Sequence, residues 1–481
     1  MDDLKLYARS DRELNSLVNT VKIFSDDIGM SFGMDKCKIV SVKKGKMIDV
    51  DSIELPGGEK MSQIENEGYK YLGMIQDSQI RTGEMKEKLD KEYKRRVRKL
   101  AKSRLFAGNL ISAINQWALG GIRYSAGIVD WTMGDLKRMD IATRKILKCN
   151  GCLHPRANIS RLYIKRKDGG KGLISVEQCV IAECNSLFEY VNNSEEPMLK
   201  NVLDEGFLIA NEGKKEYNQR FKSEKQHEWK DKTLHGKFPS SIKEISATNT
   251  WLWLQSGWLK KNTEAVIMAA QDQALRTNWI KSCIDGQDIS PLCRVCNKAD
   301  ESAAHIASGC EELAKRRYKI RHDLVATRIH WELCHKYDIE VKGKWYEHAP
   351  PESVESEDGV EIMWDKVINT TEKVLHNRPD IVVVTKNPRK WTIIDIACPQ
   401  DHIVDQKENE KIGRYTDLAG KVSVEFQVQT EIVPIVIGAL GTLPKRLPIF
   451  IKRLGIPDIT GSAQISVITS TARILRDVLS L

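Results

Sequence analysis

Two aspartates set in apolar surroundings constrain the fold of this chain more than any other feature. Arg378-Pro-Asp-Ile-Val-Val-Val-Thr385 and Trp391-Thr-Ile-Ile-Asp-Ile-Ala397 are short β-branched runs, separated by Lys386-Asn-Pro-Arg-Lys390. Two such runs around a proline-containing turn predict a β-hairpin. Asp380 opens the first run and Asp395 lies near the end of the second. A carboxylate among isoleucines is costly to bury unless a cation or hydrogen bonds compensate it. Two of them at the ends of paired strands can share a hard metal ion, which prefers oxygen ligands.

A second constraint is Cys293-Arg-Val-Cys296 followed by His305 and Cys310, the pattern Cys-x2-Cys-x8-His-x4-Cys. Four ligand-type residues within eighteen, three cysteines and a histidine, predict a closed tetrahedral Cys3His zinc site. Such a site is structural, because no coordination position stays open, and its metal contributes folding energy to a segment too small to build its own core. The eleven cysteines are odd in number and the N-terminus carries no apolar signal segment. Buried thiols and metal ligands inside a cell are therefore expected, not disulfides.

Composition excludes some classes. At 41% hydrophobic and 29% charged the chain is a folded one. No apolar run approaches the roughly 18 residues that span a bilayer, so no membrane partner is expected. The net charge of +9 favours nucleic acid as a partner.

In chain order, Met1-Asp2-Asp3 leads into the strand-like run Leu4-Lys-Leu-Tyr-Ala8, and apolar spacing predicts a helix over 11–30. Gly29-Met-Ser-Phe-Gly-Met-Asp-Lys-Cys-Lys-Ile-Val40 breaks that helix and enters a strand, and Tyr69-Lys-Tyr-Leu-Gly73 follows. Between 86 and 104 ten Lys/Arg face three acids in a helix-compatible pattern, and a helix follows to about 149. Lys94, Arg95, Arg96 and Arg98 are the candidates there for phosphate contacts, which give affinity without sequence reading.

Arg161-Leu-Tyr-Ile-Lys-Arg-Lys-Asp-Gly-Gly-Lys-Gly-Leu-Ile174 lacks the spacing of a phosphate loop and reads as a basic strand with a tight turn. The chain to about 279 reads as helical and polar, with Trp251, Trp253 and Trp258 packing a small core. Lys315-Arg-Arg-Tyr-Lys-Ile-Arg321 sets cations beside the zinc-type cluster. A helix over 360–375 is expected before the hairpin. After it come a polar helix with Lys407, Lys411, Arg414 and Tyr415 and an apolar strand, Glu431-Ile-Val-Pro-Ile-Val-Ile-Gly438.

These motifs carry a resemblance. The Asp-Asp pair, the helix, the Gly-x3-Gly-x2-Lys-Cys turn and the Tyr-Leu-Gly strand resemble the end of a reverse-transcriptase palm. The basic helical stretch after them resembles its thumb. Pro-Asp380, then Asp395 after fourteen residues, resembles the PD-(D/E)-x-K nucleases. Palm, thumb, zinc knuckle and nuclease in this order resemble the C-terminal part of a non-LTR retrotransposon polyprotein of the restriction-like endonuclease type.

The resemblance implies a multidomain α+β chain, mostly helical over its first two thirds, with a small knuckle and a C-terminal α/β nuclease core. The expected units are a palm remnant at 1–80, a thumb-like region at 81–150 and a helical, basic linker region at 151–285. A knuckle at 286–322, a linker at 323–359, a nuclease at 360–460 and a C-terminal helix at 461–481 complete them. Asp380 and Asp395 would hold catalytic Mg2+, Arg378 and Arg414 would contact nucleic acid, and the partners would be target DNA and element RNA in the nucleus. The family pattern places a lysine two residues after the second aspartate, where this chain has Ala397. Retrotransposon members carry it on the next helix, which points to Lys411 beside Tyr415, with Lys407 as the rival. Asp2 and Asp3 would be polymerase metal ligands, but with no upstream third aspartate, polymerisation by this chain alone is not expected. The alternative is an inactive remnant that only binds nucleic acid.

Overall fold

The computed structural model describes residues 4–49, 53–54, 58, 60–64, 68–77, 79–204, 210, 212–242, 245, 247–341 and 343–481. Asp2 and Asp3 lie outside the described residues. The first part is small. Helix α1 (Asp11–Asp27) is capped by Ser10, whose Oγ accepts the Glu13 amide at 3.3 Å. Among the described residues, strands of two to four residues follow between Lys38 and Gln76. The strand expected over 4–8 does not form; Leu4 and Tyr7 are exposed and the run lies in a loop.

Helix α2 (Thr82–Lys102) buries Tyr93, Val97 and Ala101, one stripe at helical spacing. The one helix expected to follow it, to about 149, forms as two separate pieces. Ser103 ends α2, a kinked helical stretch covers 107–125, and α3 (Met133–Cys149) starts afresh behind a capping box made by Thr132 and Asp135. The Tyr93 hydroxyl meets Thr143 Oγ1 at 2.8 Å and locks α2 to α3. Helices α4 (Val176–Asn192), α5 (Lys214–Lys230) and α6 (Lys261–Gln271) continue the helical part.

The stretch from Arg161 to Ile174 is not the basic strand expected. It is a helical turn and a 3-10 turn folded back on themselves, with Arg161 and Lys171 fully buried. Arg161 donates to Asp272 at 2.9 Å and to the Gly169 carbonyl at 2.7 Å, with its guanidinium 4.5 Å from the Trp229 ring. Glu264, fully buried on α6, takes Lys171 at 2.6 Å and Arg166 at 2.5 Å. Gly169 has φ +94°, and a Cβ there would sit 2.8 Å from the Trp251 ring. That glycine is needed for close packing, not for cradling a phosphate. Trp251 and Trp253 are core residues as expected, whereas Trp258 is 73% exposed.

The C-terminal part is built on a five-stranded mixed sheet. Its strands are β1 (Ser353–Glu355), β2 (Glu361–Trp364), β3 (Ile381–Lys386), β4 (Arg389–Ala397) and β5 (Gln429–Val436), in the order β5-β4-β3-β2-β1. The β4–β5 pair is parallel and the others antiparallel. Helix α7 (Lys319–Lys336) precedes the sheet, and α8 (Val404–Phe426) connects β4 to β5. Helices α9 (Leu447–Leu454) and α10 (Thr460–Leu479) follow.

The helix expected over 360–375 is strand β2 and a loop. Ile362 and Met363 are adjacent, and β2 sends them to opposite faces of the sheet, where both are buried. One face packs on α7 and α9 through Ile362, Ile381, Val383, Ile394 and Ile396. The other packs on α8 through Val382, Trp391 and Ile393 against Tyr415, Leu418 and Val422. A separate cluster joins Trp253, Ala269, Cys293, Ile306 and Leu475, so the cysteine-rich segment and α10 share apolar core with the middle helices. No helix among the described residues is long and apolar enough to cross a membrane.

Candidate active site and metal centre

Period-two alternation puts Asp395 on the sheet face of Trp391 and Ile393, the face that α8 covers. Lys411 and Tyr415 stand one turn apart on α8 and both reach it. Lys411 Nζ forms an ion pair with Asp395 Oδ2, and the Tyr415 hydroxyl lies 2.9 Å from Oδ1 and 3.2 Å from the Arg378 carbonyl. Lys407 turns away and pairs with Glu410 at 2.7 Å, a residue that also holds Arg414 at 3.3 Å. Lys411 is therefore the lysine that the fold brings to the carboxylates.

In the hairpin Ile381 pairs with Ile394, so the same register carried on by one residue sets Asp380 opposite Asp395 on one face. Asp380 Oδ2 accepts the Ile396 amide at 2.6 Å and lies 3.0 Å from His322 Nε2. His322 comes from α7, and its Nδ1 is 3.0 Å from Asp323 Oδ1. Nothing in the sequence spacing pointed to His322; it lies 58 residues from its partner. Arg378 is exposed and tied to Asp365 at 2.9 Å. Arg321, His322, Asp323, Trp364, Asp365 and Asp380 line an open cleft of about 460 Å3.

The two carboxylates titrate in opposite directions. Burial raises the pKa of Asp395 and the neighbouring charge of Asp380 adds to it, against Lys411 and Tyr415. Burial also works against Asp380, but His322, the Ile396 amide and Lys411 outweigh it and hold its pKa below the usual value. For His322 burial disfavours the charged ring, yet hydrogen bonds to Asp323 and Asp380 prevail and raise its pKa to about 10. Two like charges on one site, each kept by a cation, are what a further oxygen-seeking cation would relieve.

The cysteine cluster closes as its spacing predicts. The ligand atoms of Cys293, Cys296, His305 and Cys310 all lie within 4.8 Å of one another, with Cys296 Sγ 3.4 Å from His305 Nε2. These residues can hold a metal ion. Glu301, fully buried, braces the Cys293–Cys296 turn by accepting the Arg294 amide at 2.9 Å and guanidinium at 2.7 Å. The segment is no separate bead, because Cys293, Cys310, Ile306 and Ala307 sit in the shared core. Cys296→Ser is expected to lose about one metal equivalent per chain with only partial loss of helical signal. Elemental analysis and far-ultraviolet circular dichroism would check it; an unchanged metal content would remove the cluster from consideration.

The other cations expected at nucleic acid are differently placed. Lys94 pairs with Asp90 at 2.6 Å, and Arg95 and Arg96 both pair with Glu92, at 2.6 and 2.7 Å. Arg98 is exposed. In the run after the cluster, Arg321 does not face solvent. It is 1% exposed and donates to the carbonyls of Ala307 and Cys398 and to Thr471, joining the cysteine segment, the end of β4 and α10.

A helical first part, a Cys/His cluster and a mixed sheet with paired carboxylates suit a polyprotein segment from a mobile element. Comparison with known proteins supports that class. Over 432 residues the chain is 22% identical to the retrovirus-related Pol polyprotein from the type-2 retrotransposable element R2DM of Drosophila melanogaster. The match covers 86% of this chain and 38% of that polyprotein, so the chain spans well under half of its relative's length. This distant similarity supports a non-LTR retrotransposon polyprotein and a transposon-related function. No protein-family model matches the chain.

Proposed function

We propose that the sheet and the helices α7 and α8 form a metal-dependent DNA endonuclease that nicks one strand of a target site, where a freed 3′ end primes copying of element RNA. The thumb-like helices and the Cys/His cluster, with zinc as its ion, would hold DNA and RNA around it. The observation that carries this reading is the convergence of Asp380, Asp395, Lys411 and Tyr415 at one end of the hairpin, beside an open cleft.

The residues fit a hard divalent ion such as Mg2+: two carboxylates on one face, with the pKa of one raised in part by the charge of the other. Bound between Asp380 and Asp395, such an ion would supply Lewis-acid activation of the phosphodiester and of water. Lys411 places positive charge where the pentacovalent phosphate develops its negative charge. Tyr415 fixes the Asp395 carboxylate from its other oxygen, and the Ile396 amide fixes Asp380. His322, charged at neutral pH, keeps Asp380 ionised.

Conversion of supercoiled plasmid to nicked circles by the full chain, with and without added Mg2+, tests the reading. No metal-dependent nicking would leave the inactive nucleic-acid-binding protein as the better account. In the same assay Lys411→Met should lower the rate about 100-fold, whereas Lys407→Met, which breaks only a surface pair with Glu410, should leave it nearly unchanged. Equal rates for the two variants would show that the ion pair to Asp395 has no part in the reaction.

A further inference from the structure

A second group of ligand-type residues lies away from both sites already described. His330 and Cys334 are four apart on α7 and so share a face, and both are fully buried. His348, half-buried, comes to them from the 3-10 turn Trp345–Glu347. His330 Nδ1 is 2.9 Å from His348 Nε2 and 3.4 Å from Cys334 Sγ. One ligand atom from each of the three falls within 4.8 Å of the others.

We propose that His330, Cys334 and His348 form a second metal site, for a borderline-soft divalent cation of the zinc class, bound through Nδ1, Sγ and Nε2. A tetrahedral ion at about 2.3 Å from sulfur and about 2.0–2.1 Å from nitrogen sets sulfur and nitrogen ligands roughly 3.5 Å apart. The Cys334–His330 separation meets this, and equals the 3.4 Å between Cys296 and His305 in the other cluster. Two nitrogens on such an ion stand roughly 3.3 Å apart, so the two rings separate by a few tenths of an ångström on binding. A thiol and two imidazoles select zinc over Mg2+ or Ca2+, which want oxygen. On binding, the Cys334 thiol proton leaves to solvent.

The ion would clip the 3-10 turn Trp345–Glu347, which His348 directly follows, onto α7, the helix whose first turn presents His322 to Asp380. The contact continues toward the cleft, because the Trp364 ring stands edge-on to His330, 5.8 Å away, and Trp364 also lines the cleft. With three protein ligands, the fourth tetrahedral position would fall to water.

The full chain, loaded with zinc, freed of excess by gel filtration and measured by elemental analysis, tests this without any nuclease assay. The unsubstituted chain is expected to hold about two equivalents. Cys334→Ser and His348→Ala should each hold one fewer and keep the equivalent that Cys296→Ser loses. Retained binding at Cys293, Cys296, His305 and Cys310 reports that the variant is folded. If His348→Ala and Cys334→Ser hold as much zinc as the unsubstituted chain, or lose all of it together, the site does not exist. Cobalt in the Cys296→Ser protein adds a direct signature: sulfur-to-metal absorption lost with Cys334→Ser supports the site, and its absence before that substitution overturns it.

Discussion

Asp380→Ala is expected to lower metal-dependent plasmid nicking about 1,000-fold, which is about 4 kcal/mol of transition-state stabilisation. The size follows from the position. Asp380 faces Asp395 across the hairpin, takes the Ile396 amide at 2.6 Å and holds His322 at 3.0 Å. Its loss removes half of the carboxylate pair and leaves His322 with Asp323 alone. The fold should survive, because Asp380 lies just before β3 and is only part-buried, whereas Ile381 and Val382 beside it carry the packing. Asp380→Asn is the sharper control: it keeps the shape and an acceptor for the Ile396 amide and removes only the charge. Single-turnover nicking by both variants, with urea midpoints near that of the unsubstituted chain, is the measurement. A rate in either variant close to the original would remove the carboxylate pair from the chemistry.

Glu264→Ala should cost about 3–5 kcal/mol of stability, the largest effect expected of a residue remote from the cleft. Glu264 is fully buried and is the shared partner of Arg166 and Lys171. Without it, Arg166 and Lys171 are left beside each other with no counter-charge between them. Burial alone would raise the Glu264 pKa, but Lys171 and Arg166 overcome it and lower it from 4.5 to about 2. A depressed carboxylate contributes stability that is fully present above 4.5 and is lost as pH falls toward 2. The unsubstituted chain should therefore lose stability across that acid window more steeply than Glu264→Ala. Urea midpoints at a series of pH values would show it. Parallel pH profiles would mean that the buried pairs do not hold this region together.

How much of this was legible in the sequence depended on distance along the chain. The hairpin was legible because β-branched runs and a turn are local, and the Cys/His cluster because its four ligands fall within eighteen residues. Lys411 and Tyr415 were legible as a pair on one helix face. The choice between Lys407 and Lys411 was not, since both share that face. It is made by how α8 lies across the sheet, a matter of packing. His322 reaches Asp380 from another helix, and no local pattern marks such a meeting. Charge misled twice. Arg161 and Lys171 belong to a stretch that reads as a basic strand with a tight turn, yet carboxylates about a hundred residues away take them into the core. Arg321 likewise ended a basic run and proved to be buried. The strand β2 was misread because Ile362 and Met363 are neighbours, and a four-residue strand with both faces covered has no alternation to show.

The position of α10 bears on how the chain folds as it is made. Gln464 accepts the Trp253 amide at 2.9 Å and donates to the carbonyls of Thr250 and Gly441 at 2.9 and 2.6 Å. Ile468, Ala472 and Leu475 fill the same apolar core as Trp253, Cys293 and Ile306. During synthesis, residues from about 160 onward must wait with that core open until 460–479 leave the ribosome. Closing contacts over some two hundred residues is slow and leaves apolar surface exposed meanwhile. A premature stop anywhere before α10 would therefore cost far more than one helix, since the middle helices would lose the wall against which they set.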